Sequence, residues 1–300
     1  MKRRIIKQAN QAYTLTLPIE WVRKNKLDAG SEVDVKENEK NLIVSSEGET
    51  EYKKIKIKFK EINGKIVRLY ILALYSKGFD EITIESEKEI SSEITNAINN
   101  TIGFALISQD ENVYVIKDIN SGNYQHLDEI FKRVFQMVLL FYDSAMNDIF
   151  GKEDEKVESL MMRDREVNKF CLFLQRAINK SSYPDVVNSR ALFSYSYCLE
   201  KIGDEIERLW KTNIKNKIKK TKEFKVLTEM CREILGKSFD LYYRLSPEKI
   251  EEIYNYRDEF REKTLDFKSS DKQLNRILRH ILKIVEDCVD LTHLDLIMRN

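Results

Sequence analysis

Three prolines and nine glycines in 300 residues leave little material for a loop-rich fold, and they favour long uninterrupted helices. The four cysteines, Cys171, Cys198, Cys231 and Cys288, lie far apart without a CxxC pair, and each falls on a helical apolar pattern. They read as buried thiols in a reducing compartment, not as a disulfide framework. No apolar run reaches the length of a membrane span, and MKRRIIKQAN is not followed by a signal-length apolar segment, so a cytoplasmic chain is expected. Nor is there an excess of either charge. Lys and Arg number 51 against 50 Asp and Glu, which excludes a uniformly basic nucleic-acid coat and confines any basic patch to one region. The three histidines, His126, His280 and His293, form no i,i+4 pair, which excludes a zincin-type site; His280, on an apolar helix, reads as a core-edge or interface residue.

The patterning predicts three successive regions. Residues 1–48 read as short strands at Arg3–Lys7 and Ala12–Leu17, a turn at Asn10-Gln11, a helix at Ile19–Lys24 behind Pro18, and a hairpin from Glu32–Lys36 to Leu42–Ser45. Residues 49–122 read as a small α/β linking domain. It opens with Lys54–Lys60, a strictly alternating strand, followed by a helix over Lys65–Ser76 capped at Gly78. A strand at Glu81–Glu85, a helix at Ile90–Ile98 and a final hairpin complete that layer. Residues 123–300 are helical, with three helices in about 123–214 and three more in about 222–300. The two halves form an internal repeat, joined by the acid-free lysine run Lys211–Lys222, which reads as a solvated hinge. The fold class is therefore α+β multidomain, with a mainly helical C-terminal part.

The first region is too small to bury its own core and has no metal-ligand set or disulfide, so dimerisation is the physical expectation. It is also locally basic: between residues 1 and 26, seven lysines and arginines face Glu20 alone. The run Tyr13-Thr14-Leu15-Thr16-Leu17-Pro18, then Trp21-Val22 and Gly30-Ser31-Glu32-Val33, resembles the AbrB/MazE/SpoVT swapped-hairpin domains. That resemblance implies a half-barrel completed by a second chain, and DNA contact through Arg3, Arg4, Lys7, Arg23 and Lys24. Asn10-Gln11-Ala12 stands where the family often places a glycine.

Within the helical part, LEKIGDEIERL at Leu199–Leu209 sets Glu200 and Asp204 one helical turn apart, with Gly203 permitting close approach. In the second half, Leu282 and Glu286 occupy the corresponding places. The duplicated motif resembles the PhoU family of phosphate-signalling proteins over about 125–298. The resemblance implies two three-helix bundles and an iron- or zinc-class ion held by Asp164, Glu200 and Asp204. Asn168 stands where a second acid is usual, and Leu282 removes a ligand from the second half, where Asp258 and Glu259 would face Glu286. No nucleophile, oxyanion hole or phosphate loop is legible, so no enzyme is expected. The implied function is regulation of phosphate uptake and homeostasis by a DNA-binding homodimer. The alternative is an adaptor that dimerises without DNA and docks on a phosphate-transport or phosphate-signalling protein. A toxin-antidote role is set aside because a long helical part follows in place of a toxin-wrapping tail.

Overall fold

The computed structural model describes residues 2–8, 12–38, 41–46, 52–60, 63–120, 127–151, 157–180, 186–216, 218–267 and 270–299. The chain divides into two compact units, Met1–Tyr52 and Lys53–Asn300.

The first unit contains β1 (Ile6–Gln8) paired antiparallel with β2 (Ala12–Thr14), helix α1 (Ile19–Lys24), and β3 (Val33–Asn38) paired antiparallel with β4 (Asn41–Ser46). The turn expected at Asn10-Gln11 lies outside the described residues. Pro18 precedes α1, whose first turn carries Glu20 and whose last carries Arg23 and Lys24, each sign opposing the partial charge of its helix end. None of the residues of this unit whose side chains are described is buried. Ile5, Ile6, Tyr13, Ile19, Val35 and Leu42 are each at least half exposed.

The second unit begins with a four-stranded sheet. β5 (Lys54–Phe59), β6 (Glu81–Ser86), β7 (Phe104–Asp110) and β8 (Val113–Asp118) lie in the order β5-β6-β8-β7. β5 and β6 run parallel through the crossover helix α2 (Gly64–Ser76), and helix α3 (Ser91–Ile98) connects β6 to the β7–β8 hairpin. Alternation sends Phe59, Ile82, Ile84, Tyr114 and Ile116 onto Val67, Ile71, Tyr75, Ile94 and Ala97 of the two helices. The other face carries Lys54, Glu81 and Lys117 as a charge ladder, with separations of 3.3 and 3.1 Å. Gly78, at φ 90°, ends the α2 segment as its cap position requires.

Six helices follow: α4 (Leu127–Phe150), α5 (Val157–Lys180), α6 (Val186–Asn216), α7 (Lys222–Tyr243), α8 (Pro247–Asp266) and α9 (Lys272–Arg299). Each presents an apolar stripe of helical period. In α4 the buried stripe is Phe131, Val134, Phe135, Val138, Phe141, Tyr142, Ala145, Met146 and Ile149. Only Ile253 and Phe260, two turns apart, are buried in α8, which makes it an outer helix. Side-chain caps from Thr221 and Ser246 satisfy the first turns of α7 and α8. One continuous core joins both three-helix halves, with α6 and α9 antiparallel along their seam. The lysine run is shorter as a connector than its composition implied. Lys211 and Lys215 belong to α6, where Lys211 reaches Glu207 one turn back at 2.5 Å.

The sheet layer and the helices form one body, and Arg176 of α5 explains why. Its guanidinium is fully buried and donates to the carbonyls of Tyr75 and Phe79, at 2.9 and 2.7 Å. It also donates to Asp80 at 3.2 Å and Asp118 at 2.6 Å, and lies over the Tyr75 and Phe104 rings. Asn179 and Lys180 add contacts to the Ser76 carbonyl and to Asp80. Consecutive turns of α5 thus hold the end of α2 and the start of β6.

Candidate functional site

The carboxylates singled out from the sequence meet on the α5–α6 face. Asp164 is buried on α5; Glu200 and Asp204 are partly buried on α6. Their approach depends on Gly203, since a Cβ there would stand 3.2 Å from Val167 Cγ1 on α5. The site is electrostatically frustrated. Burial pushes the Asp164 carboxyl up to about 7, reinforced by the charges of Glu207, Asp204 and Glu200 and opposed by Lys211. Glu200 is likewise pushed up to about 7, first by burial and then by Asp204. Burial also raises Asp204, although Arg208, at 2.7 Å, opposes it. Asp164 Oδ1 and Asn168 Oδ1 are buried without a hydrogen-bond partner; Asn168 Nδ2 donates to Asp164 Oδ2 at 3.3 Å.

Two further residues belong to the site. Glu207 exerts the largest charge effect on Asp164, and it lies three residues beyond Asp204, a spacing that places it on the same face. Gln175 hydrogen-bonds Glu200 and also accepts from Ser76 Oγ at 3.3 Å, and the charge of Arg68 on α2 reaches Glu200 as well. The α/β layer therefore borders the carboxylates. The i+3 position of Glu207 was visible in the sequence; Ser76 and Arg68 carried no such signal.

Chemically the donors suit a hard or borderline cation. A positive ion would relieve the mutual repulsion and give Asp164 Oδ1 a partner. Among the described residues, however, no three His, Cys, Asp or Glu side chains converge as a ready ligand set. The corresponding place in the second half is closed by the protein itself. Arg261 of α8 makes two 2.7 Å hydrogen bonds to Glu286, and lies 3.9 Å from Asp258. Glu259 pairs with Lys263 of its own helix at 3.0 Å, and Leu282 packs against the core. His280 sits on the seam, its Nδ1 2.6 Å from Glu205 Oε2. All four cysteines are free; Cys171, Cys231 and Cys288 are buried and Cys198 is half-buried.

In the first unit, Arg3, Arg4, Lys7, Arg23 and Lys24 are all exposed, and the structure places the first three on or beside β1 and the last two at the end of α1.

Residues 6–52 match the family described as antidote-toxin recognition MazE, bacterial antitoxin. The N-terminal unit is MazE-like. Among solved structures, the chain is similar to the phosphate transport system regulatory protein PhoU from Streptococcus pneumoniae, at 15% identity and a TM-score of 0.48, over 59% of this chain and 95% of that one. No curated protein sequence matches the chain. No helix among the described residues is long and apolar enough to cross a membrane.

Proposed function

We propose that this chain is a phosphate-responsive regulator that dimerises through its MazE-like unit and binds DNA there, with the helical part as its sensor. The observation that carries the reading is the character of the first unit: it exposes its apolar side chains and a local excess of positive charge together. Pairing two copies would bury the former and double the latter, and paired basic surfaces neutralise DNA phosphates. Phosphate supply is the proposed input on the strength of the Glu200–Asp204 motif within a duplicated three-helix pattern. Asp164, Glu200 and Asp204, with Glu207 beside them, are the proposed ligands of an iron- or zinc-class cation that keeps part of its water shell.

The test is a salt titration of duplex binding by fluorescence anisotropy, with the association state followed by sedimentation. Affinity is expected to fall by about 0.9 log unit per contacted phosphate per log unit of salt. Arg3→Ala with Arg4→Ala is expected to flatten that slope by about two phosphates per protomer while leaving the dimer intact. An intact dimer that binds no duplex at about 50 mM salt would refute DNA recognition and leave an adaptor for a phosphate-transport protein. Metal content of the purified protein, compared with Glu200→Ala, tests the cation: equal content in both removes it from this site.

A further inference from the structure

Helix α2 is apolar on two sides. Val67, Ile71 and Tyr75 face the sheet and are fully buried there. On the opposite side Ile66, Leu69, Tyr70 and Ala73 follow the spacing i, i+3, i+4, i+7 and stand in solvent. Leu69 is 65% exposed, Tyr70 47% and Ile66 43%. A helix that is hydrophobic all round is ordinarily enclosed by protein, whereas α2 keeps this second stripe open. The Tyr70 ring meets Phe59 in an edge-on contact, centroids 5.3 Å apart, which fixes the ridge without covering it.

The charge along this helix has one sign. From Asn63 to Phe79 there is no Asp or Glu, in a chain that holds 50 of them. Helical spacing puts Lys65 and Arg68 on one flank of the ridge and Lys77 at its C-terminal end, and all three are exposed. On the neighbouring α3 the exposed side chains Ser92, Thr95, Asn96 and Asn99 are uncharged. The acid of that helix, Glu93, lies against Gly64 at the start of α2 and accepts a hydrogen bond from Ser92. The ridge is also small. Three large side chains on one short helix fall well below the roughly 20–30 residues a side that a stable protein interface uses. An apolar stripe rimmed by cations is, however, enough for a helix that lies among lipid headgroups.

We propose that the outward ridge of α2 docks the chain on an anionic lipid surface. Ile66, Leu69 and Tyr70 enter the headgroup boundary, while Lys65, Arg68 and Lys77 reach lipid phosphates with their stems along the apolar surface. The helix lies on the surface and does not cross it, since its 13 residues are too few to span and its inward side is committed to the sheet. Each cation held near a negatively charged leaflet strengthens partitioning by roughly fivefold. A neutral leaflet offers no such attraction, so the contact is selective for lipid of net negative charge.

Vesicle flotation of the full-length chain tests this, with phosphatidylcholine alone compared with phosphatidylcholine carrying about one-third phosphatidylglycerol, at about 0.1 M salt. The chain is expected to float with the anionic vesicles only. Leu69→Gln is expected to weaken partitioning about tenfold through lost apolar burial. Lys65→Gln with Arg68→Gln is expected to weaken it about thirtyfold. These positions are exposed, and urea unfolding checks that the variants keep the wild-type fold. Arg3→Ala with Arg4→Ala separates the ridge from the basic first unit and should still float with the anionic vesicles. Unchanged partitioning in Leu69→Gln, or binding lost in Arg3→Ala with Arg4→Ala, overturns the proposal. Equal binding to both kinds of vesicle, or to neither, overturns it as well. So does an altered association state of lipid-free Leu69→Gln in sedimentation, which would make the ridge a protein interface.

Discussion

Glu200→Gln should stabilise this protein at alkaline pH. Glu200 is held at about 7, against an ordinary value of 4.5, by burial and by Asp204. Between those two values the folded chain keeps a proton that the unfolded chain releases. Stability therefore falls as pH rises through that window, by about 1.4 kcal/mol per pH unit at most, and levels off above pH 7. The accumulated cost is about 3 kcal/mol, an upper figure because Asp164 and Asp204 are coupled to Glu200 and share the penalty. Glutamine keeps an acceptor for Gln175 and carries no charge. In urea unfolding with chelator present, Glu200→Gln is expected to exceed the wild type by about 1–3 kcal/mol at pH 8 and to match it near pH 4.5. Divalent cation at a hundred times its dissociation constant should then raise the wild type by about 2.7 kcal/mol and leave the variant unmoved. A variant less stable than wild type at pH 8, or a gap of equal size at both pH values, would refute the electrostatic account of the site.

Other substitutions probe the scaffold around it. Arg176→Met removes the guanidinium that Asp80 and Asp118 share and leaves both buried carboxylates exposed to that loss; a cost of about 3–5 kcal/mol in urea unfolding is expected, and a cost below about 1 kcal/mol would show that the layer is not held there. Gly203→Val places branched carbon against Val167, and should cost about 1–3 kcal/mol while weakening any cation binding through separation of α5 from α6. Unchanged stability and cation affinity in that variant would deny the close approach its role.

The elements were legible because each carries its own period. The alternation from Lys54 to Phe59 and the stripe from Phe131 to Ile149 set strand and helix within a residue or two of where they stand. At the lysine run the helix expected to end near residue 214 continues to Asn216, with Glu207 and Lys211 paired one turn apart inside it. The docking of the α/β layer had no local signal. Arg176 finds its partners 58 to 101 residues away, and a lone arginine on an amphipathic helix reads as surface until those partners are known. The same holds for Arg261: the acidic residues of the second half looked free to face one another, and the guanidinium between Asp258 and Glu286 was silent in the pattern.

That arginine bears on what the first half is for. Both halves place an acidic residue at the same point of the third helix, Asp204 in one and Glu286 in the other. In the second half the facing helix answers it with Arg261 in a two-point, charge-assisted contact, and Leu282 takes the place of the other carboxylate. In the first half the facing helix answers with Asp164, so that like charges meet in a partly buried place and Asp164 and Glu200 are driven toward neutrality at physiological pH. The scaffold itself shows that a cheaper arrangement is available. Repulsion kept in one copy and removed from the other is not a demand of the bundle, and it is the ground on which a cation is proposed here. The cost worked out for Glu200 is then the free energy that a bound cation would return. This is why stability at pH 8, measured with and without divalent ion, separates a functional cluster from a merely tolerated one.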